Sequence, residues 1–133
     1  MVDQLEVDEG QYDNVQEIFW ASGACLFIRA NLYHEAGGLD NSFFAHMEEI
    51  DLCWRLKNAG YKIYACPEST VYHVGGAVIT YGSPAKIYYN YRNGLIMLYK
   101  NLPSKGFIST LFVRLTLDVI SAWRALFKGG KTS

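Results

Sequence analysis

Residues 43–62 read FFAHMEEIDLCWRLKNAGYK. Leu52, Cys53, Leu56 and Ala59 recur at helical spacing, which predicts a helix from about Glu48 to Ala59, stopped by Gly60 in a left-handed conformation. Glu49 continues that apolar stripe one turn toward the N-terminus. Glu48, Asp51, Arg55 and Asn58 fall on the more polar side, and Asp51 with Arg55 forms an i,i+4 pair of favourable orientation. A carboxylate at position 49 has two possible uses: it caps backbone N–H groups of the first turn, or it faces a cleft from there.

The chain has 133 residues, enough for a small domain with a core, and at 50% hydrophobic it reads as folded. Its net charge of -1 hides an asymmetry. Eleven of the thirteen acids lie between Asp3 and Asp51, whereas from Lys100 onward there are six bases and one acid, Asp118. A basic tail of this kind suits an anionic surface; no interleaving of bases and aromatics points to nucleic acid. Cys25, Cys53 and Cys66 are odd in number and lack metal-ligand spacing, so they read as thiols in a reducing compartment. The N-terminal residues do not read as a signal peptide. The expected location is cytoplasmic, with a peripheral position at the inner face of the membrane as a further expectation.

Residues 1–16 are acidic and aperiodic and read as loop. The run ACLFI, within 19–28, reads as a buried strand. A short helix is expected over Asn31–Ala36, ended by Gly37 and Gly38; strands are expected over Tyr61–Cys66 and Ser69–Val74, the latter closed by Gly75 and Gly76. Ser83 followed by Pro84 is a helix start, and that helix should reach Asn101, ahead of Pro103. A last helix is expected from about Gly106 to Phe127. The order is mixed α/β, with too few strands for a complete sheet.

The run SGACLFIRANLYHEAGGLDNSFFAHMEEIDLCWRLKNAGYKIYACPESTVYHVGG, followed by YYNYRNGLIMLYKN, resembles the family 2 glycosyltransferases, which have a GT-A fold. The specific part is EEIDLCWR, which is similar to that family's Glu-Asp-x-Asp-Leu-x-x-Arg motif, with His-x-Gly-Gly and Arg-Asn following in order. Glu49 stands where the family usually has aspartate. The likeness is greatest to bacterial rhamnosyltransferase-like members that act on surface polysaccharide. The resemblance implies a partial GT-A fold: residues 1–103 as its C-terminal, acceptor-side portion with few strands and a helix, and residues 104–133 as an amphipathic helix with a basic tail. No Asp-x-Asp metal motif is present, so most ligands of the expected divalent metal (Mg or Mn) should lie in an N-terminal half outside this sequence.

The resemblance also implies an inverting transfer from a nucleotide-sugar donor to a glycan or lipid-linked acceptor. A hydroxyl is a poor nucleophile, and a placed carboxylate that takes its proton is worth ~10²–10⁴-fold. Glu49 is the candidate base, with Glu48 beside it as the alternative. The competing reading makes Glu49 a first-turn carboxylate favoured by the helix dipole, worth ~0.3–1 kcal/mol. His73 is a candidate metal or diphosphate contact, or an ordinary strand-end histidine. Trp20, Ser22 and Gly23 resemble the family's acceptor-side wall, with tight backbone packing as the other reading of Gly23, and His46 either faces the acceptor or is an ordinary loop residue. Arg92 either forks onto a phosphate or makes a structural pair.

In the last helix, Arg114, Asp118, Ser121, Arg124 and Lys128 form a polar stripe and the rest is apolar. With three charges inside, it reads as a helix lying on an anionic membrane or one packed on the enzyme, not as a span. The chain alone is expected to be catalytically inactive and to self-associate through the bare edge of the 25–28 strand. The rival reading is a non-catalytic interaction module or a membrane-surface-binding subunit.

Overall fold

The computed structural model describes residue 7, residues 9–73 and residues 83–128. The chain divides into two compact units, one of Met1–Asp40 with Glu48–Ala77 and the other of Asn41–Met47 with Val78–Ser133.

The first unit is mixed α/β. Strand β1 (Gln16–Ile18) pairs antiparallel with β2 (Ile63–Ala65), Glu17 opposite Tyr64. Helix α1 (Ala30–Glu35) and helix α2 (Glu48–Asn58) complete it. Leu52 and Cys53 are fully buried and Leu56 nearly so, the stripe expected of α2. Both helices end in the same way. At α2, Tyr61 N donates to Leu56 O at 3.0 Å and Gly60 N to Lys57 O at 2.9 Å; at α1, Gly38 N donates to Tyr33 O at 2.8 Å and Gly37 N to His34 O at 3.0 Å. These Schellman closures need a left-handed residue one past the cap, and Gly60 (φ 89°) and Gly37 (φ 82°) supply it. Lys57 joins α2 to the sheet, donating to Glu17 Oε1 at 2.8 Å and Ile18 O at 3.3 Å. That ammonium holds the Glu17 carboxyl below its usual range.

Asp51 departs from expectation: it lies on the buried side of α2, fully enclosed. Its charge is met by Arg55, whose Nε donates to Asp51 Oδ2 at 2.9 Å. The rest of the guanidinium turns to the end of α1, where Nη2 donates to Gly38 O at 2.6 Å and Nη1 to Ala36 O. A buried carboxylate is tolerable here because the fork that neutralises it also satisfies two carbonyls left over at a helix end. Ala59, expected on the apolar stripe, is exposed, because the chain has already left the helix there.

The expected strand over 19–28 is absent. Ser22 Oγ accepts from Ala24 N at 3.3 Å and Ser22 O from Cys25 N at 3.0 Å, closing a 3-10 turn over Gly23–Cys25. Residues 26–29 carry no regular structure, with Leu26 and Arg29 extended, and Phe27 is 89% exposed. A strand needs a neighbour to take its ladder bonds, and among the described residues only β1 and β2 form a sheet. The expected strand edge at 25–28 is replaced by a stretch of backbone outside any ladder of the described residues. Residues 69–73 likewise carry no regular structure, and Val74 to Gly76 lie outside the described residues.

In the second unit, α3 (Pro84–Asn101) starts as expected, with Ser83 Oγ accepting from Lys86 N at 3.3 Å and Pro84 in the first turn. Helix α4 (Phe107–Lys128) packs on it. Arg114 lies over the Tyr91 ring at 5.7 Å and binds Asp118 at 2.7 Å, and Tyr91 Oη bonds Ser121 Oγ at 2.6 Å. A Cβ on Gly94 would stand 2.9 Å from Arg114 Nη1, so glycine lets the guanidinium close onto α3.

Candidate active site

In the first unit, α2 carries Glu48, Glu49 and Asp51 in its opening turn. Glu49 is half-buried. A Cβ on Gly23 would stand 3.7 Å from the Glu49 Cβ, so the 3-10 turn lies directly against this side chain. Cys53, one turn further along α2, is buried, and that burial, with the Glu49 charge adding to it, pushes its thiol above the usual range despite a backbone hydrogen bond from Ala21. Glu49 thus sits between the glycine turn and a buried neutral thiol. Glu48 is also half-buried, and its Oε2 is enclosed with no hydrogen-bond partner among the described residues. Trp20 and Ser22, with Cys25, Phe27, Cys53 and Tyr64, line a cavity of about 940 Å³ in the same unit. Its walls are largely apolar.

His46 and Arg92 belong to the second unit. The backbone before α2 is unusual: Phe44, His46 and Met47 have φ of 61°, 68° and 76°. Such conformations cost of order 1–3 kcal/mol each in non-glycine residues unless the surroundings hold them. Asn93 does so. It is fully buried, and its Nδ2 donates to Phe43 O at 2.9 Å, Ala45 O at 2.8 Å and His46 O at 2.8 Å. Arg92 Nη1 donates to Asn93 Oδ1 at 2.9 Å and to Ser42 O at 3.0 Å. The guanidinium is thereby tied to loop backbone, a structural use, though to carbonyls and an amide and not to a carboxylate. The His46 ring is half-buried, with Nε2 enclosed and without a hydrogen-bond partner among the described residues.

Glu49, Gly23, Ser22 and Trp20 are therefore brought together in one unit, and His46 and Arg92 in the other. His73 is exposed and ends no strand, and the glycines after it lie outside the described residues. Among the described residues no group of three or more His, Cys, Asp or Glu side chains is placed to hold a metal ion. Asn93 is the residue that sequence reasoning passed over in favour of its neighbour Arg92. Its signal was present: Asn90, Asn93 and Asn101 share one stripe of α3 at helical spacing. Asparagine is a poor helix former and needs a reason to be there. Asn90 and Asn101 also bond back to their own helix, Asn90 to Lys86 O and Asn101 to Met97 O.

Comparison with known proteins finds similarity to sugar transferases. The chain is 39% identical over 54 residues to an N-acetylglucosaminyl-diphospho-decaprenol L-rhamnosyltransferase of Mycobacterium tuberculosis, a match that covers 41% of this chain and 18% of the relative. It is 27% identical over 123 residues to the low-salt glycan biosynthesis hexosyltransferase Agl10 of Haloferax volcanii, covering 90% of this chain and 39% of that protein. It is 32% identical over 54 residues to the rhamnosyltransferase WbbL of Escherichia coli, with 41% and 20% covered. The chain thus spans well under half the length of these relatives. No family model and no solved structure matches it. By its likeness to proteins each named for moving a rhamnosyl or hexosyl group, the chain is glycosyltransferase-like.

Proposed function

We propose that this chain supplies the acceptor side of an inverting glycosyltransferase that moves a sugar from a nucleotide donor to a lipid-linked glycan acceptor. The names of the relatives support the reaction, and that of the mycobacterial one, which specifies a diphospho-decaprenol carrier, supports the acceptor class. The observation that carries the reading is the seating of Glu49 on the first turn of α2, against Gly23. The absence of a side chain at position 23 lets backbone pack on the Cβ and Cγ of Glu49, which fixes the stem of the carboxylate while one of its oxygens, Oε2, is enclosed.

In the proposed step the acceptor oxygen attacks the anomeric carbon from the face opposite the nucleotide. The bond to the diphosphate oxygen breaks with its electron pair, and Glu49 takes the hydroxyl proton as the new bond forms. Inversion follows from the single in-line displacement. Glu48 is the neighbouring carboxylate, held with one oxygen enclosed. Trp20 and Ser22 supply an apolar surface and a hydroxyl to the lining of the cavity in the same unit. The described residues offer a divalent ion no cluster of ligands, so the roles assigned here rest on this chain's own side chains.

The test is transfer itself. The protein carrying this sequence is incubated with rhamnosyl and hexosyl nucleotide donors and a polyprenyl-diphosphate sugar, and the lipid product is analysed by mass and by the anomeric configuration of the new linkage. A product lengthened by one sugar with inverted configuration is expected. Failure with every donor, or retained configuration, overturns the reading.

A further inference from the structure

We propose that α4 is a membrane-surface helix that lies in the interface of an anionic bilayer with its apolar face down and α3 on the side away from the lipid. The inference goes beyond sugar transfer and rests on none of the residues assigned to it.

An amphipathic helix of a globular protein normally turns its apolar face to the protein and its polar face to water. In helix α4 the covered stripe is half polar, and the larger apolar face is open. The positions half-covered by its own unit are Phe107, Leu111, Arg114 and Asp118; Arg114 meets Asp118 and the Tyr91 ring, Phe107 meets the Tyr99 ring edge-on, and the exposed Ser121 bonds the Tyr91 hydroxyl. The opposite face carries Ile108, Phe112, Val119, Trp123, Leu126 and Phe127, each between 63% and 77% exposed. Trp123 and Phe127 stack against each other at 5.0 Å along this face. An uncovered aromatic and aliphatic stripe along a 22-residue helix is far more apolar surface than isolated exposed residues would give, and such a patch marks a partner.

Charge selects the occupant. Asp118, the one acid of the helix, is already neutralised by Arg114. After it the sequence holds Arg124, Lys128 and Lys131 and no acid, and Lys105 stands just before the helix. Arg124 and Lys105 are exposed. Pairing α4 with α4 of a second copy would set these bases against one another with no free acid in the helix to meet them. A bilayer with anionic headgroups meets them directly, while its acyl boundary takes the rings and aliphatic chains. Tryptophan is the side chain that such boundaries favour. Among the described residues no helix is long and apolar enough to cross a membrane, so the helix lies along the surface.

The experiment is vesicle flotation of the full chain, with no sugar donor present, so that its result is independent of transfer. Phosphatidylcholine–phosphatidylglycerol vesicles should carry the protein up the gradient far better than phosphatidylcholine vesicles, and binding should weaken as salt rises to about 0.5 M. The double variant Phe112→Ser, Trp123→Ser alters only exposed side chains, and circular dichroism checks that it remains helical. It should bind at least ~10-fold more weakly. Arg124→Glu should reduce the advantage of anionic over neutral vesicles. Equal flotation of the double variant overturns the proposal, as does equal binding to both vesicle types. Light scattering that shows a dimer dissociated by the double variant, with no flotation of either protein, assigns the face to a second copy and overturns it as well.

Discussion

The side-chain amide of Asn93 lies 2.8 Å from the carbonyl oxygen of His46, a residue whose own φ is 68°. A left-handed histidine and a buried helical asparagine are each unfavourable alone, and here each accounts for the other. One nitrogen with two hydrogens serves three carbonyls, so the contacts to Phe43, Ala45 and His46 include a shared one.

Asn93→Asp keeps the shape of the side chain but turns the donor into an acceptor facing three carbonyl oxygens. It should destabilise the protein by about 2–4 kcal/mol, more than a typical lost hydrogen bond, because buried acceptors are left unmet. Asn93→Ala should fall in the same range. Urea titration measures it, and a change below about 0.5 kcal/mol would show that the 43–46 backbone holds itself.

Arg55 joins a buried carboxylate to two carbonyls at the end of α1. Arg55→Ala leaves Asp51 enclosed without its cation and should cost about 3 kcal/mol. Arg55→Lys should recover less than half of this, because a single ammonium cannot reproduce a fork with three separate targets. Equal stability of the lysine variant and the parent would contradict the role given to the fork.

Burial raises the Cys53 thiol above its ordinary value of 9.0, so the folded chain holds that proton more tightly than the unfolded chain. Below that value both states are protonated and stability is unaffected. As pH rises past about 9 the unfolded state ionises first, and stability falls. Cys53→Ala should flatten this part of the stability–pH curve relative to the parent. In the same range iodoacetamide should label the exposed Cys66 rapidly and Cys53 only on unfolding. Early labelling at Cys53 would contradict its enclosure.

Much of this structure was legible beforehand because it is set locally. The α2 stripe, its stop at Gly60, the Ser83–Pro84 start of α3 and the Asp51–Arg55 pair each depend on residues within one or two turns. What was misread depends on distant partners. The apolar run at 25–28 has strand composition, but a strand exists only with a neighbour. The α4 stripe shows that the helix is two-faced; which face meets α3 is decided by Tyr91 and the space over Gly94, which no periodicity displays. Asp51 reads as polar and solvent-facing until the fork that neutralises it is seen to end on α1. At the candidate site, Glu49 beside Gly23 joins two stretches that motif order alone had already singled out, whereas the grip of Asn93 on the loop depends on contacts some fifty residues apart.

Whether Glu49 takes the acceptor proton is decided by comparing Glu49→Gln with Glu48→Gln in the protein that carries this sequence. Turnover is followed by release of the donor's nucleotide diphosphate, and donor affinity by titration. Glu49→Gln should lower kcat by at least ~10²-fold with donor binding nearly unchanged, and Glu48→Gln should have the smaller effect on kcat. Near-normal turnover of Glu49→Gln, or the larger loss at Glu48, would contradict that role for Glu49.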